Sequence, residues 1–163
     1  MAHVELRPLD DDDLDAVFEM MRDQDAVAME AFTADDPDDR AAFDAWIARE
    51  RDAEDVALFV VTEKGGFAGT AAAFSVDEDR EVSFWIARHA WGRGVATEAL
   101  RLLISREPIR PLYARVASHN AAAIAVLERN GFAEVSRQRA FAPGLGREVE
   151  ELLYTLVPVL DGI

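Results

Sequence analysis

Residues 56–87 hold three β-rich runs separated by two tight turns, and no other stretch narrows the available folds so far. The first run, 56–62, contains Val56, Phe59, Val60 and Val61, and Lys64-Gly65-Gly66 follows it as a hairpin turn. The second run is 67–76. The acidic turn at 77–80 leads to a third, 81–87, with Val82, Phe84, Trp85 and Ile86. Two consecutive hairpins make a meander, so this part of the sheet is antiparallel. That excludes a doubly wound, all-parallel fold.

The flanks supply the remaining elements. Residues 3–7 alternate as a strand that Pro8 ends. Asp12 or Asp13 caps a helix to about Met21, with Leu14, Val17, Phe18 and Met21 on one face. A second helix covers 38 to about 52, with Phe43, Trp46 and Ile47 at helical spacing, and the acidic run 35–39 before it reads as loop. Residues 97–106 read as helix and 112–116 as strand. Residues 120–130 read as a helix that Gly131 stops. The last strands are 132–137 and 149–156, joined by a loop at 142–146. The order β-α-α-β-β-β-α-β-α-β-β predicts an α+β fold. Its central sheet is mixed and mostly antiparallel, with one β-α-β crossover and helices on both faces.

Composition bounds the chemistry. The 163 residues suit one domain, 1–163, and include no cysteine. Disulfides, thiolate metal sites and a cysteine nucleophile are therefore excluded, and no metal site is expected. Acidic residues number 32 against 17 basic ones, a net charge of −15. Such a surface repels nucleic acid and anionic membranes and attracts cations. The N-terminus lacks the pattern of a targeting signal, and no run nears the ~18 apolar residues of a membrane span. A cytoplasmic protein is expected.

The segment Trp91-Gly92-Arg93-Gly94-Val95-Ala96-Thr97-Glu98-Ala99-Leu100 follows a strand and opens a helix. Its small residues let the backbone turn tightly and let a ligand approach. The free N–H groups of a helix's first turn, with its dipole, favour phosphate or pyrophosphate. Arg93 adds a cation at the edge. A dinucleotide fingerprint would need a small residue at Thr97, and a P-loop would need a lysine there.

A second motif lies downstream: Asn120 and Ala123 open the next helix, and Gly131-Phe132 closes it. In these two motifs, and in the strand 81–86 before the turn, the sequence resembles the GNAT superfamily of acetyl-CoA-dependent N-acetyltransferases. The likeness is to the branch that includes the ribosomal-protein N-terminal acetyltransferases. It covers nearly the whole chain, with its specific motifs between Glu81 and Phe132. The resemblance implies a GNAT-like sheet and acetyl-CoA as acetyl donor. It implies that backbone N–H groups of Gly92, Arg93, Gly94, Val95, Ala96 and Thr97 hold the CoA pyrophosphate. The backbone of Trp85, Ile86 and Ala87 would pair with the pantetheine arm like an added strand. Asn120 would bond the pantetheine or acetyl end, while its own residue type also suits a helix N-cap. Trp91 stands where many members carry Gln or Arg.

The implied reaction is acetyl transfer to a primary amine by direct attack in a ternary complex. Glu81 is the expected base, at a position where related enzymes often carry a catalytic glutamate. Read alone, it is a carboxylate after a charged turn. His119 is the second candidate, since a pKa near ~6.5 suits proton relay. Many members place a tyrosine acid midway along the last helix, where this chain has Leu127. That departure leaves open a non-catalytic acyl-CoA-binding or interaction domain. The acceptor would be a cationic small molecule or a protein N-terminus.

Overall fold

The structure, a computed structural model, describes residues 3–158. Residues 1–2 and 159–163, which the single-domain expectation includes, lie outside the described residues. Strands β1 (Val4–Pro8), β2 (Ala57–Glu63), β3 (Gly66–Val76), β4 (Asp79–Ile86), β5 (Leu112–Ala117), β6 (Ala133–Ala142) and β7 (Arg147–Leu156) form one sheet in the order β1-β2-β3-β4-β5-β7-β6. The meander β2-β3-β4 forms as its turns dictate, with Lys64 and Gly65 both at positive φ. Every pairing is antiparallel except β4 with β5.

The helices are α1 (Leu14–Met21), α2 (Gln24–Glu30), α3 (Arg40–Asp52), α4 (Val95–Arg106) and α5 (Ala121–Arg129). The larger core lies on the face covered by α4 and α5, where Leu100, Leu103, Leu112 and Leu127 are fully buried. Truncating any of these to alanine typically costs about 2–5 kcal/mol. The opposite face carries a second cluster, in which Val17 and Phe18 of α1 pack with Phe43 and Ile47 of α3. A third, small cluster joins Ala31, at the end of α2, to Ala117, Ala142 and Val149.

Three elements depart most from the sequence expectation. Helix α2 occupies part of the segment read as the connection between the first two helices. It has only seven residues, and only Ala26 and Val27 within it are fully buried, with Glu30 half-buried at its end, so its periodicity is too short to register. Its stability comes from the Asp23 cap, which accepts from Asp25 and Ala26 N–H, and from packing against β5. Strands β6 and β7 run longer than expected. β6 is an edge strand exposed along most of its length, so its outer half lacks an apolar alternation.

Candidate active site

Strands β4 and β5 are registered only at Arg80–Leu112 and Glu81–Tyr113. Beyond these pairs the two strands are unpaired with each other, so a slot opens in the middle of the sheet. Half-buried Arg80 and buried Glu107 form an ion pair beside the closed end. The register decides which backbone groups line the slot. Ala87 N–H donates to Ala68 O at 2.8 Å, and hydrogen-bonded pairs alternate along an antiparallel ladder. Glu81, Ser83, Trp85 and Ala87 therefore turn their backbone groups toward β3. Val82, Phe84 and Ile86 turn theirs into the slot. Of the expected trio Trp85, Ile86 and Ala87, Ile86 alone faces the slot, its carbonyl already accepting from the Trp91 indole, and Phe84 and Val82 join it. On the far side Ser118 N–H donates to Glu150 O, and the same alternation aims the backbone of Arg115 and Ala117 at the slot. Two facing edges with free donors and acceptors are a ready template for an extended amide chain.

The wide end of the slot meets the glycine turn. Gly92 and Gly94 have φ +79° and +76°, and Gly94 is the N-cap of α4. Their left-handed backbone, rather than crowding, explains the residue type, because an added Cβ would meet nothing within 4 Å. No side chain caps α4, which leaves the N–H groups of its first turn free for a ligand. The hydroxyl of Thr97 is buried there without a hydrogen-bond partner. A glycine cap, free amides and an orphaned hydroxyl together fit a diphosphate. Arg93 is engaged elsewhere: Nε lies 3.1 Å from Glu63 Oε2, and Nη1 donates to His89 O at 2.9 Å. It fastens the turn to β2 and holds the Glu63 carboxyl below its ordinary range. Trp91, 41% exposed, donates its indole N–H to Ile86 O at 2.7 Å.

The narrow end carries the charged groups. Glu81 is 4% exposed and lies on the sheet face of α1 and α3, as Ser83 and Trp85 do by strand alternation. Arg115 Nε contacts both its oxygens, at 3.2 and 3.3 Å. Beside this pair opens a cavity of about 320 Å³ lined by Arg115, Ser136, Arg137, Gln138, Glu151 and Leu153. The indole N–H of Trp85 is buried without a partner.

Asn120 is 3% exposed, and its Oδ1 accepts from Ala123 N–H at 3.2 Å, so it caps α5. His119, just before it, is exposed and donates from Nε2 to Ala28 O of α2 at 2.9 Å. That places His119 beside α2, and Glu81 sits with Arg115 instead. Three residues of this region have partners or surroundings that the sequence reading did not foresee. Arg115 and Asn130 carry no local signal, since their partners lie in remote elements. Glu30, on α2, has its carboxyl pushed up to about 7 by burial. Its sequence signal was only membership of an acidic segment.

The sequence matches the Acetyltransferase (GNAT) domain family over residues 3–133. Among curated proteins nothing matches it. Solved structures share the fold. A ribosomal-protein-alanine N-acetyltransferase from Brucella melitensis is 24% identical, covering 94% of this chain and 99% of its own, with TM-score 0.78. A spermidine N-acetyltransferase from Vibrio cholerae, in complex with CoA and spermine, is 18% identical over 94% and 95%, with TM-score 0.79. A ribosomal L7/L12 α-N-protein acetyltransferase, in complex with CoA, is 17% identical over 92% of each chain, with TM-score 0.71. With the family match spanning most of the sequence, and a split sheet opening onto a glycine-capped helix, the chain belongs to the GNAT acetyltransferase family.

Proposed function

We propose that this protein transfers the acetyl group of acetyl-CoA to a primary amine by direct attack in a ternary complex. The observation that carries the reading is the continuity of slot and turn. Free edges of β4 and β5 lead from a diphosphate-shaped helix start to a buried carboxylate at the closed end. The CoA pyrophosphate would lie on the N–H groups of residues 92–97, with the Thr97 hydroxyl as a further donor. The edge of Val82, Phe84 and Ile86 would pair with the pantetheine amides. Bound acetyl-CoA supplies an activated thioester carbonyl, and the remaining requirements fall on this chain.

An amine attacks only when neutral, and a lysine-like amine with pKa about 10.4 is neutral to the order of one part in a thousand at pH 7. Glu81 takes that proton. Its Arg115 contact uses one side of the carboxylate, and an ionised carboxylate keeps further lone pairs for an incoming N–H. A slot-facing backbone N–H stabilises the oxyanion that forms on the thioester carbon's oxygen. Without cysteine in the chain, no acyl-enzyme on sulfur forms: the amine attacks the thioester carbon itself, the C–N bond forms, the C–S bond breaks and CoA leaves as its thiolate.

The acceptor we favour is cationic, on account of the acidic segment after α2, where Asp35 and Asp36 are exposed. The spermidine and ribosomal-protein enzymes that share the fold act on amines of the two classes considered. The test is thiol release from acetyl-CoA against a panel of polyamines, amino acids and N-terminal peptides. A cysteine-free protein adds no background to that assay. Glu81→Gln should lower kcat by about 10²–10⁴-fold with acetyl-CoA affinity little changed. Acetyl-CoA binding without turnover on any amine would instead identify a non-catalytic acyl-CoA-binding domain.

A further inference from the structure

We propose that Arg115 is a positioning residue of this site, holding the Glu81 carboxylate at the closed end of the slot while Glu151 holds Arg115. This rests on the reading of Glu81 as the base. Four polar side chains, one per strand, form a row across β4, β5, β7 and β6. Arg115 Nε sits 3.2 and 3.3 Å from the two Glu81 oxygens, and its Nη1 lies 3.6 Å from Glu151 Oε1. Gln138 Nε2 donates to the same Glu151 oxygen at 3.1 Å. The pairing of Gln138 with Glu151 across β6 and β7 builds the outer half of the row.

Both carboxylates of the row are more buried than the guanidinium between them. The Glu81 side chain is 5% exposed, that of Glu151 13%, and that of Arg115 41%. The guanidinium thus has one edge on the buried carboxylate and another toward the cavity of about 320 Å³. A carboxylate taken out of water needs a charge partner and a fixed rotamer. A single N–H shared between both oxygens supplies both, and leaves each oxygen a lone pair for the amine. Lysine, a point charge on a flexible stem, would neutralise Glu81 without fixing its plane. Arg115 therefore acts through Glu81, and through the aim of that carboxylate.

The test is a double-mutant cycle on kcat with the best amine found. Arg115→Ala should lower kcat by roughly 10–100-fold, as a misplaced catalytic group does, with acetyl-CoA affinity unchanged. Arg115→Lys should recover only part of the loss. Added guanidinium, well below denaturing concentrations, should restore turnover to Arg115→Ala in a saturable way. In the Glu81→Gln background, Arg115→Ala should cost nothing further, because the residue it positions is gone. Should Arg115→Ala not fold, Glu151→Gln carries the same cycle from the far side of the guanidinium. The proposal is overturned by wild-type kcat in Arg115→Ala, by losses that multiply in the double variant, or by absence of rescue. If Glu81→Gln itself keeps wild-type kcat, the base assignment fails first and this proposal falls with it.

Discussion

The carboxamide of Asn130, at the end of α5, donates to the carbonyl of Thr97 in the first turn of α4 at 3.1 Å, and to Val126 O at the same distance. One side chain thus ties the close of the last helix to the start of the turn that faces the slot. Asn130→Ala should cost about 1–2 kcal/mol in denaturant unfolding, the net value of one or two hydrogen bonds. It should also weaken acetyl-CoA binding several-fold in a calorimetric titration, although Asn130 touches no ligand. Asn130→Asp should weaken binding more, since a carboxylate would face two carbonyl oxygens. Equal CoA affinity in all three proteins would separate this buttress from the binding site.

The turn itself offers a sharper substitution. Ala96 is the second residue of α4, where a carboxylate suits the helix dipole and the fold should survive. The same carboxylate would occupy the pyrophosphate position and repel it. Ala96→Glu is expected to abolish acetyl-CoA binding while keeping its circular dichroism. A folded variant that binds normally would remove this turn from the site.

Glu30 sets a pH dependence of stability. Burial raises its carboxyl from 4.5 to about 7 in the folded protein, so folding favours the protonated form. Its contribution is fully present below about pH 4 and is lost as pH rises through 7, a difference of up to about 3 kcal/mol. Asp13 acts in the opposite sense. The Arg7 guanidinium, at 2.7 Å to each oxygen, lowers its carboxyl, so its contribution is lost on acidification. Glu30→Gln should match the wild type near pH 4 and exceed it near pH 8 in urea unfolding. A constant difference across that range would contradict the assignment.

The acidic segment after α2 makes a kinetic prediction. Asp35 and Asp36 are exposed, and among the described residues neither forms an ion pair. Exposed charges act over about 8–10 Å at physiological salt. For a cationic amine kcat/KM should fall as salt rises, and for a neutral amine it should stay level. Replacing Asp35 and Asp36 by Asn should remove part of the slope. A flat profile for the best cationic acceptor would confine the charge of −15 to solubility.

Local chemistry made much of this protein legible from its residues. The hairpin at Lys64-Gly65, the left-handed Gly92 and Gly94, the Asn120 cap and the Gly131 stop are each decided by a few consecutive residues, whose φ preferences and caps act within one turn. The sequence by itself therefore determined the meander, the glycine turn and the helix that follows it. It did not determine which backbone groups are free. That depends on the parity of the β3–β4 register, which leaves Ile86 on the slot and turns Trp85 and Ala87 away. Nor did it reveal that Arg93 is bound to Glu63, or that Arg115 reaches Glu81 from a strand 34 residues away. Helix α2 shows the same division, since seven residues with two buried positions become a helix through the β5 packing that covers them. Turns and caps are short-range free energies written in adjacent residues. Ion pairs between strands are fixed only when a register aligns remote side chains on one face, and that alignment is a property of the whole sheet.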